Sequence, residues 1–167
     1  MSPNTDATQR LIEILQGPEE PEGPYQAAYR RSGAAEALGS LGDPVAVPAL
    51  VEALKDKNYV SVCAAAALAK IKDPRAVQPL IAVLQDQEKF WVPRGAAAVA
   101  LGDLGEIATA ALPSLREALE YDCDTSGEKW DQRAREAVAD AIAHISDAKA
   151  ACSLKGNGDR YEMWGIY

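Results

Sequence analysis

Apolar residues recur at steps of three and four positions along most of this chain, the spacing that places side chains on one face of an α-helix. One such face consists of Ala34, Ala37, Leu38 and Leu41. A second face follows a short polar break and consists of Val47, Leu50, Val51 and Leu54. Alanine dominates these segments, and β-branched residues never alternate with polar ones over a long run. The pattern therefore predicts pairs of helices and no β-sheet.

The break between the two helices has the residues of a helix end followed by a helix start. Gly42 suits the left-handed residue that ends the first helix. Asp43 is expected to accept a hydrogen bond from a free backbone N–H of the next helix, and Pro44 suits a first turn, where no N–H is needed. Asp73 and Pro74 repeat this arrangement.

The helix pair is repeated along the chain. Thirty residues separate Leu38 from Leu68, and the match extends over both apolar faces. A third copy contains Ala97–Leu101 and Leu115, and a fourth begins at Ala137. One helix pair cannot bury its apolar faces alone, so successive pairs must stack. The predicted fold class is all-α, a short α-α superhelix (solenoid) of stacked antiparallel helix pairs.

The two ends of the array are expected to differ from its middle. Residues 1–25 are predicted to be a lone half-repeat helix followed by an acidic, turn-rich loop, and residues 26–146 the repeats. Residues 147–167 are predicted to be a capping helix, started by Ser146 and stopped by Gly156, with a tail that folds back or binds a partner. A second insertion is expected at 121–130.

Composition and charge limit the classes of partner that the protein is expected to bind. Only 6% of the 167 residues are aromatic, so small aliphatic side chains must fill the core. A net charge of −8 disfavours nucleic acid and anionic membranes as partners, and no apolar run predicts membrane insertion. Three cysteines that are far apart, Cys63, Cys123 and Cys152, are typical of a reducing, cytoplasmic setting.

The repeat resembles a known family. Arg31-x-x-Ala-Ala-Glu-Ala-Leu-Gly-x-Leu-Gly-Asp-Pro-x-Ala-Val-Pro-Ala-Leu is similar to the HEAT-like repeat of the phycobilisome (phycobilin) lyases. The second unit departs from it, with Ser61 in place of the early arginine. The resemblance implies a HEAT-like solenoid. It also implies an accessory protein of phycobilisomes, a bilin lyase-type subunit or antenna turnover factor, with a phycobiliprotein or a bilin as partner.

Two rows of side chains precede the first helices of the units and predict a binding edge. The aromatic row consists of Tyr29, Tyr59, Trp91 with its neighbour Phe90, and Trp130. The basic row consists of Arg31, Arg94 and Arg135, each seven positions before the matching Leu or Ile. Tyr, Trp and Arg anchor protein interfaces because they bury a large area and still form a hydrogen bond. The alternative is that the aromatics seal loops and the arginines cap carbonyls of the preceding unit.

Other candidate sites are less complete. The outward positions of the second helices, among them Glu52, Ala82 and Glu117, form a mildly acidic surface suited to a basic partner or to solvent. The segment from Asp122 resembles the start of a calcium loop, but Arg133 stands where the bidentate glutamate belongs. No catalytic residues, metal ligands or cofactor motifs are predicted; if the chain is an enzyme, the resemblance implies a bilin lyase. The predicted function is a non-catalytic scaffold that binds another protein, and the phycobilisome role is the alternative.

Overall fold

The computed structural model describes residues 3–17, 23–56, 59–86, 91–121 and 132–156, and within these ranges the chain is helical with no strand. The eight α-helices of these ranges are α1 (Pro3–Gln16), α2 (Pro24–Leu41), α3 (Val47–Ala53), α4 (Tyr59–Ile71), α5 (Val77–Gln85), α6 (Trp91–Leu104), α7 (Leu112–Tyr121) and α8 (Gln132–Gly156). Short 3₁₀ helices, Pro44–Ala46, Pro74–Ala76 and Gly105–Ala111, precede α3, α5 and α7. The predicted all-α superhelix is confirmed.

The helices pair into four hairpins, α1/α2, α3/α4, α5/α6 and α7/α8. This phase differs from the predicted one, because α3 packs chiefly on α4 and not on α2, to which the Gly42–Ala46 linker joins it. The N-terminal half-repeat is predicted with α2 and α3 as a pair; with the pairing seen in the contacts, α2 is the partner of α1. α1 starts at Pro3 and packs along α2 as the first helix of a complete hairpin.

The hairpins stack into two layers. The even-numbered helices form one layer, in which α2 packs on α4, α4 on α6, and α6 on α8. In the odd-numbered layer α1 packs on α3 and α5 on α7, whereas an open groove lies between α3 and α5. The buried core between the layers is continuous and made mainly of Ala and Leu, as the composition predicts.

The linkers between hairpins follow the predicted chemistry. Gly42 is left-handed, with φ 68°, and its N–H donates to the carbonyl of Leu38. The Asp43 carboxylate accepts a hydrogen bond from the N–H of Val45 at 3.0 Å, and that of Asp73 accepts one from the N–H of Arg75 at 2.8 Å. Lys72, at the position equivalent to Gly42, is also left-handed, with φ 57°, a conformation that strains a residue bearing a Cβ.

The even layer owes its close spacing to glycine. A Cβ built on Gly39 of α2 would lie 2.7 Å from the Cα of Ala67 in α4, and one on Gly102 of α6 would lie 2.9 Å from the Cα of Ala141 in α8. Gly33 of α2 differs, because it is exposed and a Cβ added there would meet nothing within 4 Å. Cys63, which aligns with Gly33 in the repeat, is buried.

Helix α8 runs without a break from Gln132 to Gly156. Ser146 therefore lies inside this helix, and the expected start of a separate capping helix there is wrong; the predicted end at Gly156 is found. The tail 157–167 and most of the insertion 121–130 lie outside the described residues.

One stretch, Val92–Leu119, is long and apolar enough to cross a membrane by length and composition alone. It is not one straight helix. Gly105, with φ 60°, ends α6, and the 3₁₀ segment that begins there separates α6 from α7. About half of the stretch is buried inside the solenoid, in the core between the two layers.

Candidate functional site

The tyrosines predicted to share an edge are exposed on the even layer. Tyr29 of α2 is 83% exposed and Tyr59, the first residue of α4, is 64% exposed. Both lie nine positions before the matching leucine of their helix. Since α2 and α4 pack side by side, equivalent positions on them lie along the same edge. Tyr25, one turn before Tyr29, is 90% exposed and extends the row.

On the third helix of this row, the equivalent position is held by Val92. It lies nine residues before Leu101, as the tyrosines do before their leucines, and it is 40% exposed. We call Tyr25, Tyr29, Tyr59 and Val92 the tyrosine edge. The backbone of Trp91 begins α6, but its side chain lies outside the described residues, as do Phe90 and Trp130.

Arg31 and Arg94 of the predicted basic row bind carbonyl oxygens at helix ends. The Nε of Arg31 donates to the carbonyl oxygen of Leu15, in the last turn of α1, at 2.7 Å. The Nε of Arg94 donates to the carbonyl oxygen of Leu84, in the last turn of α5, at 3.0 Å. A cation at a helix C-terminus satisfies a free carbonyl and complements the helix dipole. These bonds are the carbonyl capping that the sequence left open as an alternative to partner binding.

Arg31 also joins two hairpins. Its Nη2 lies 2.7 Å from Oδ2 of Asp56, in the loop after α3, and the Arg31 side chain is only 14% exposed. The equivalent position on α4 holds Ser61, which is buried, and on α8 it holds Arg135, which is exposed. The tyrosines are thus open to a partner, whereas the guanidinium groups of Arg31 and Arg94 are engaged within the solenoid.

A small polar cluster lies beside Tyr59. The Sγ of buried Cys63 donates to Oε1 of Glu36, on α2, at 3.4 Å. Burial raises the pKa of the Cys63 thiol to about 11, and the bond to Glu36 acts in the same direction. The neighbouring Cys63 in turn raises the pKa of Tyr59. A thiol that stays protonated at neutral pH is a poor nucleophile, so we assign this cluster to the packing of α2 against α4.

The opposite layer presents the surface predicted from the second helices. Glu52, Lys55, Ala82, Gln85 and Glu117 are all exposed, as expected for outward positions. Between α3 and α5 this surface opens into the groove noted above, which has a volume of about 200 Å³ and mainly apolar walls. Within the residues that the structure describes, no cluster of His, Cys, Asp and Glu could hold a metal ion.

The comparisons with known proteins agree with this architecture. The family model of HEAT repeats matches residues 8–102 and, in a second overlapping match, residues 62–130. The matches run from α1 to the segment after α7 and include the linkers and the glycine contact between α2 and α4. A search of curated proteins finds no match to the chain. On the repeat match, which covers more than half of its length, the chain belongs to the family of HEAT-repeat proteins.

Proposed function

We propose that this protein is a non-catalytic interaction scaffold and that another protein docks on its tyrosine edge. The observation that supports this most directly is the exposure of Tyr25, Tyr29 and Tyr59 on neighbouring helices of one layer. Large aromatic side chains grouped on a surface are typical of interaction sites, because a partner that covers them removes apolar area from water. The HEAT repeats supply a rigid frame for such an edge.

The edge is sufficient for a specific but modest affinity. A well-buried interface tyrosine contributes roughly 2 kcal/mol, and a micromolar complex requires about 8 kcal/mol in total. Tyr29 and Tyr59 therefore supply a large share of the binding free energy, and the remainder comes from neighbouring contacts. Phe90, Trp91, Trp130 and Arg135 are the side chains that we propose extend the edge toward the C-terminal hairpins.

The charge of the chain indicates the chemistry of the partner surface. With a net charge of −8, the protein attracts a basic surface at long range and repels an acidic one. Arginine or lysine beside the docked region of the partner also interacts well with tyrosine rings. We therefore propose a partner protein whose docking surface is apolar with a basic rim.

The test compares a variant of the edge with a control variant at an exposed apolar position elsewhere. Tyr29→Ala with Tyr59→Ala removes the edge, whereas Val45→Ala shortens an exposed side chain in the linker between α2 and α3. Proteins that co-purify from the native cell with the wild type and with Val45→Ala, but not with the tyrosine variant, are edge partners. We expect roughly a tenfold or greater loss of affinity when such a partner is purified and titrated. Equal binding by the tyrosine variant would contradict the proposal.

A narrower prediction comes from the resemblance to the phycobilisome lyase repeats. It makes the partner a phycobiliprotein and allows a bilin to stack on the exposed tyrosines. Mixing the purified protein with phycocyanobilin tests it, because a bound bilin shifts its visible absorption band. An unchanged spectrum for both the wild type and the Tyr29→Ala, Tyr59→Ala variant would contradict bilin binding and leave the scaffold proposal standing.

A further inference from the structure

One arginine of the chain, Arg31, is bound between two hairpins. Arg31 of α2 reaches across the ends of α1 and α3, where its Nε binds the Leu15 carbonyl and its Nη2 binds Asp56. The first contact recurs in the third hairpin, where Arg94 binds the Leu84 carbonyl. The ends of the odd-numbered helices are thus sites at which the fold accepts a guanidinium.

The second hairpin has the same site without the arginine. Leu54 of α3 is equivalent to Leu15 and Leu84, and Asp86 after α5 is equivalent to Asp56. The residue that would bring the guanidinium, at the position of Arg31 and Arg94, is Ser61. The serine side chain is too short to reach from α4 to Asp86 in the manner in which Arg31 reaches Asp56.

Two of these residues, Leu54 and Asp86, also line the groove in the odd layer. The residues that line it are Val51, Leu54, Lys55, Pro79, Ala82, Val83 and Asp86. Lys55 is directed to Glu52, with its Nζ 2.7 Å from Oε2 of that carboxylate. A volume of about 200 Å³ has room for roughly six or seven non-hydrogen atoms.

We propose that the groove between α3 and α5 binds an arginine side chain from a partner protein. The apolar walls cover the aliphatic stem of the arginine, and Asp86 binds its guanidinium as Asp56 binds Arg31. A carboxylate accepts several hydrogen bonds at once, so Asp86 can take this donor in addition to others. The net charge of −8 favours the approach of a basic segment.

This arginine site lies on the odd layer and the tyrosine edge on the even layer, so the inference goes beyond the proposed function. Arginine fits better than lysine because its planar guanidinium can bind a carboxylate and a helix-end carbonyl together, as Arg31 does. A lysine ammonium lacks this forked geometry.

The test uses the peptide acetyl-Gly-Ala-Arg-Ala-Gly-amide as probe, titrated to millimolar concentration into the ¹⁵N-labelled protein. We expect chemical-shift changes at the amides of residues 51–56 and 82–86. Asp86→Asn should lower the affinity for the peptide roughly tenfold, because it removes a charge-assisted hydrogen bond. Asp103→Asn removes an exposed carboxylate from α6 on the other layer. It should leave the affinity for the peptide unchanged. The same peptide with lysine in place of arginine should bind more weakly.

A variant that fills the site from within gives a second measurement. Ser61→Arg should occupy the groove as Arg31 occupies its own site and abolish the shifts, with the helical circular dichroism retained. If Ser61→Arg does not fold, the proposal is tested by comparing the peptide affinities of Asp86→Asn and Asp103→Asn. Shift changes outside the groove, equal binding of the lysine peptide, or equal loss in both aspartate variants would overturn the proposal. Tyr29→Ala with Tyr59→Ala should bind the probe normally, so this test is separate from that of the tyrosine edge.

Discussion

The guanidinium of Arg31 joins three segments of the chain, because it contacts the end of α1 and the loop after α3 while its own backbone lies in α2. Its position could be predicted from the repeat, but its role could not. An arginine seven residues before a buried leucine can point outward to a partner or back to a carbonyl, and both are physically favourable. The three-dimensional positions of the helix ends decide between them.

At Cys63 the structure predicts a pH dependence of stability. Burial raises the pKa of this thiol to about 11, so the fold favours its protonated form. The stabilisation is complete below the ordinary thiol pKa of about 8.5 and is lost as the pH rises through about 11. We expect the free energy of unfolding to fall over this interval, measured by urea denaturation at several pH values.

Cys63→Ala is the control for that measurement, since it removes the titrating group but leaves a small side chain at the α2–α4 contact. The difference in stability between the wild type and this variant should shrink as the pH rises from about 8.5 to 11. Other groups that titrate in this range and lie away from Cys63 are present in both proteins and cancel to first order. Tyr59 does not cancel, because Cys63 itself raises the pKa of Tyr59. If the free energies of unfolding of the two proteins fall in parallel as the pH rises, the pKa of the thiol does not differ between the folded and unfolded states.

At the scale of the helices, the contacts within the even layer depend on the absence of particular side chains. Gly39 and Gly33 both belong to α2, yet only Gly39 of these two faces another backbone. The sequence marks several small residues in each helix and predicts close packing in general. It does not show which of them meets the neighbouring helix, because that depends on how the two helices are rotated and shifted against each other.

Alanine substitutions at these two glycines should have opposite effects. In Gly39→Ala the new Cβ would stand 2.7 Å from the Cα of Ala67, so α2 and α4 must separate, and we expect a loss of about 1–3 kcal/mol. In Gly33→Ala the Cβ meets open space, and the higher helix propensity of alanine should be neutral or stabilise by up to about 1 kcal/mol. Thermal and urea unfolding measure both. Equal effects would mean that the two helices are not held in close contact at Gly39.

At the scale of the whole molecule, the repeat period, the all-α class and the linker chemistry of Gly42 and Asp43 follow from the sequence. The phase of the hairpins does not, since a repeating pattern has the same period whichever helix is taken as first. The exposed tyrosines could be placed on one edge from their spacing alone. The groove could not, because residues of two helices that are about 30 positions apart in the chain line it together.

The stacking of hairpins also predicts how the molecule opens. In a solenoid each hairpin contacts only its neighbours, so a broken link should loosen the terminal unit before the rest. Arg31→Ala removes both the bond to Leu15 and the pair with Asp56, which should cost about 2 kcal/mol and loosen the first hairpin. We expect amide hydrogen exchange to accelerate in α1 and in the first half of α2, while α5 and α7 keep their protection.

The matched control for this experiment is Arg75→Ala, because Arg75 also pairs with an aspartate, Asp73, but in an exposed position. An exposed ion pair contributes little, so its exchange profile should stay close to that of the wild type. If Arg31→Ala accelerates exchange uniformly in all four hairpins, the molecule opens as one cooperative unit. If it accelerates exchange nowhere, the Arg31 contacts do not hold the first hairpin. Faster exchange confined to the first hairpin would show that the Arg31 guanidinium strengthens its attachment to the second hairpin, beside the packing of α2 on α4. We infer that a partner's arginine has this role between the second and third hairpins.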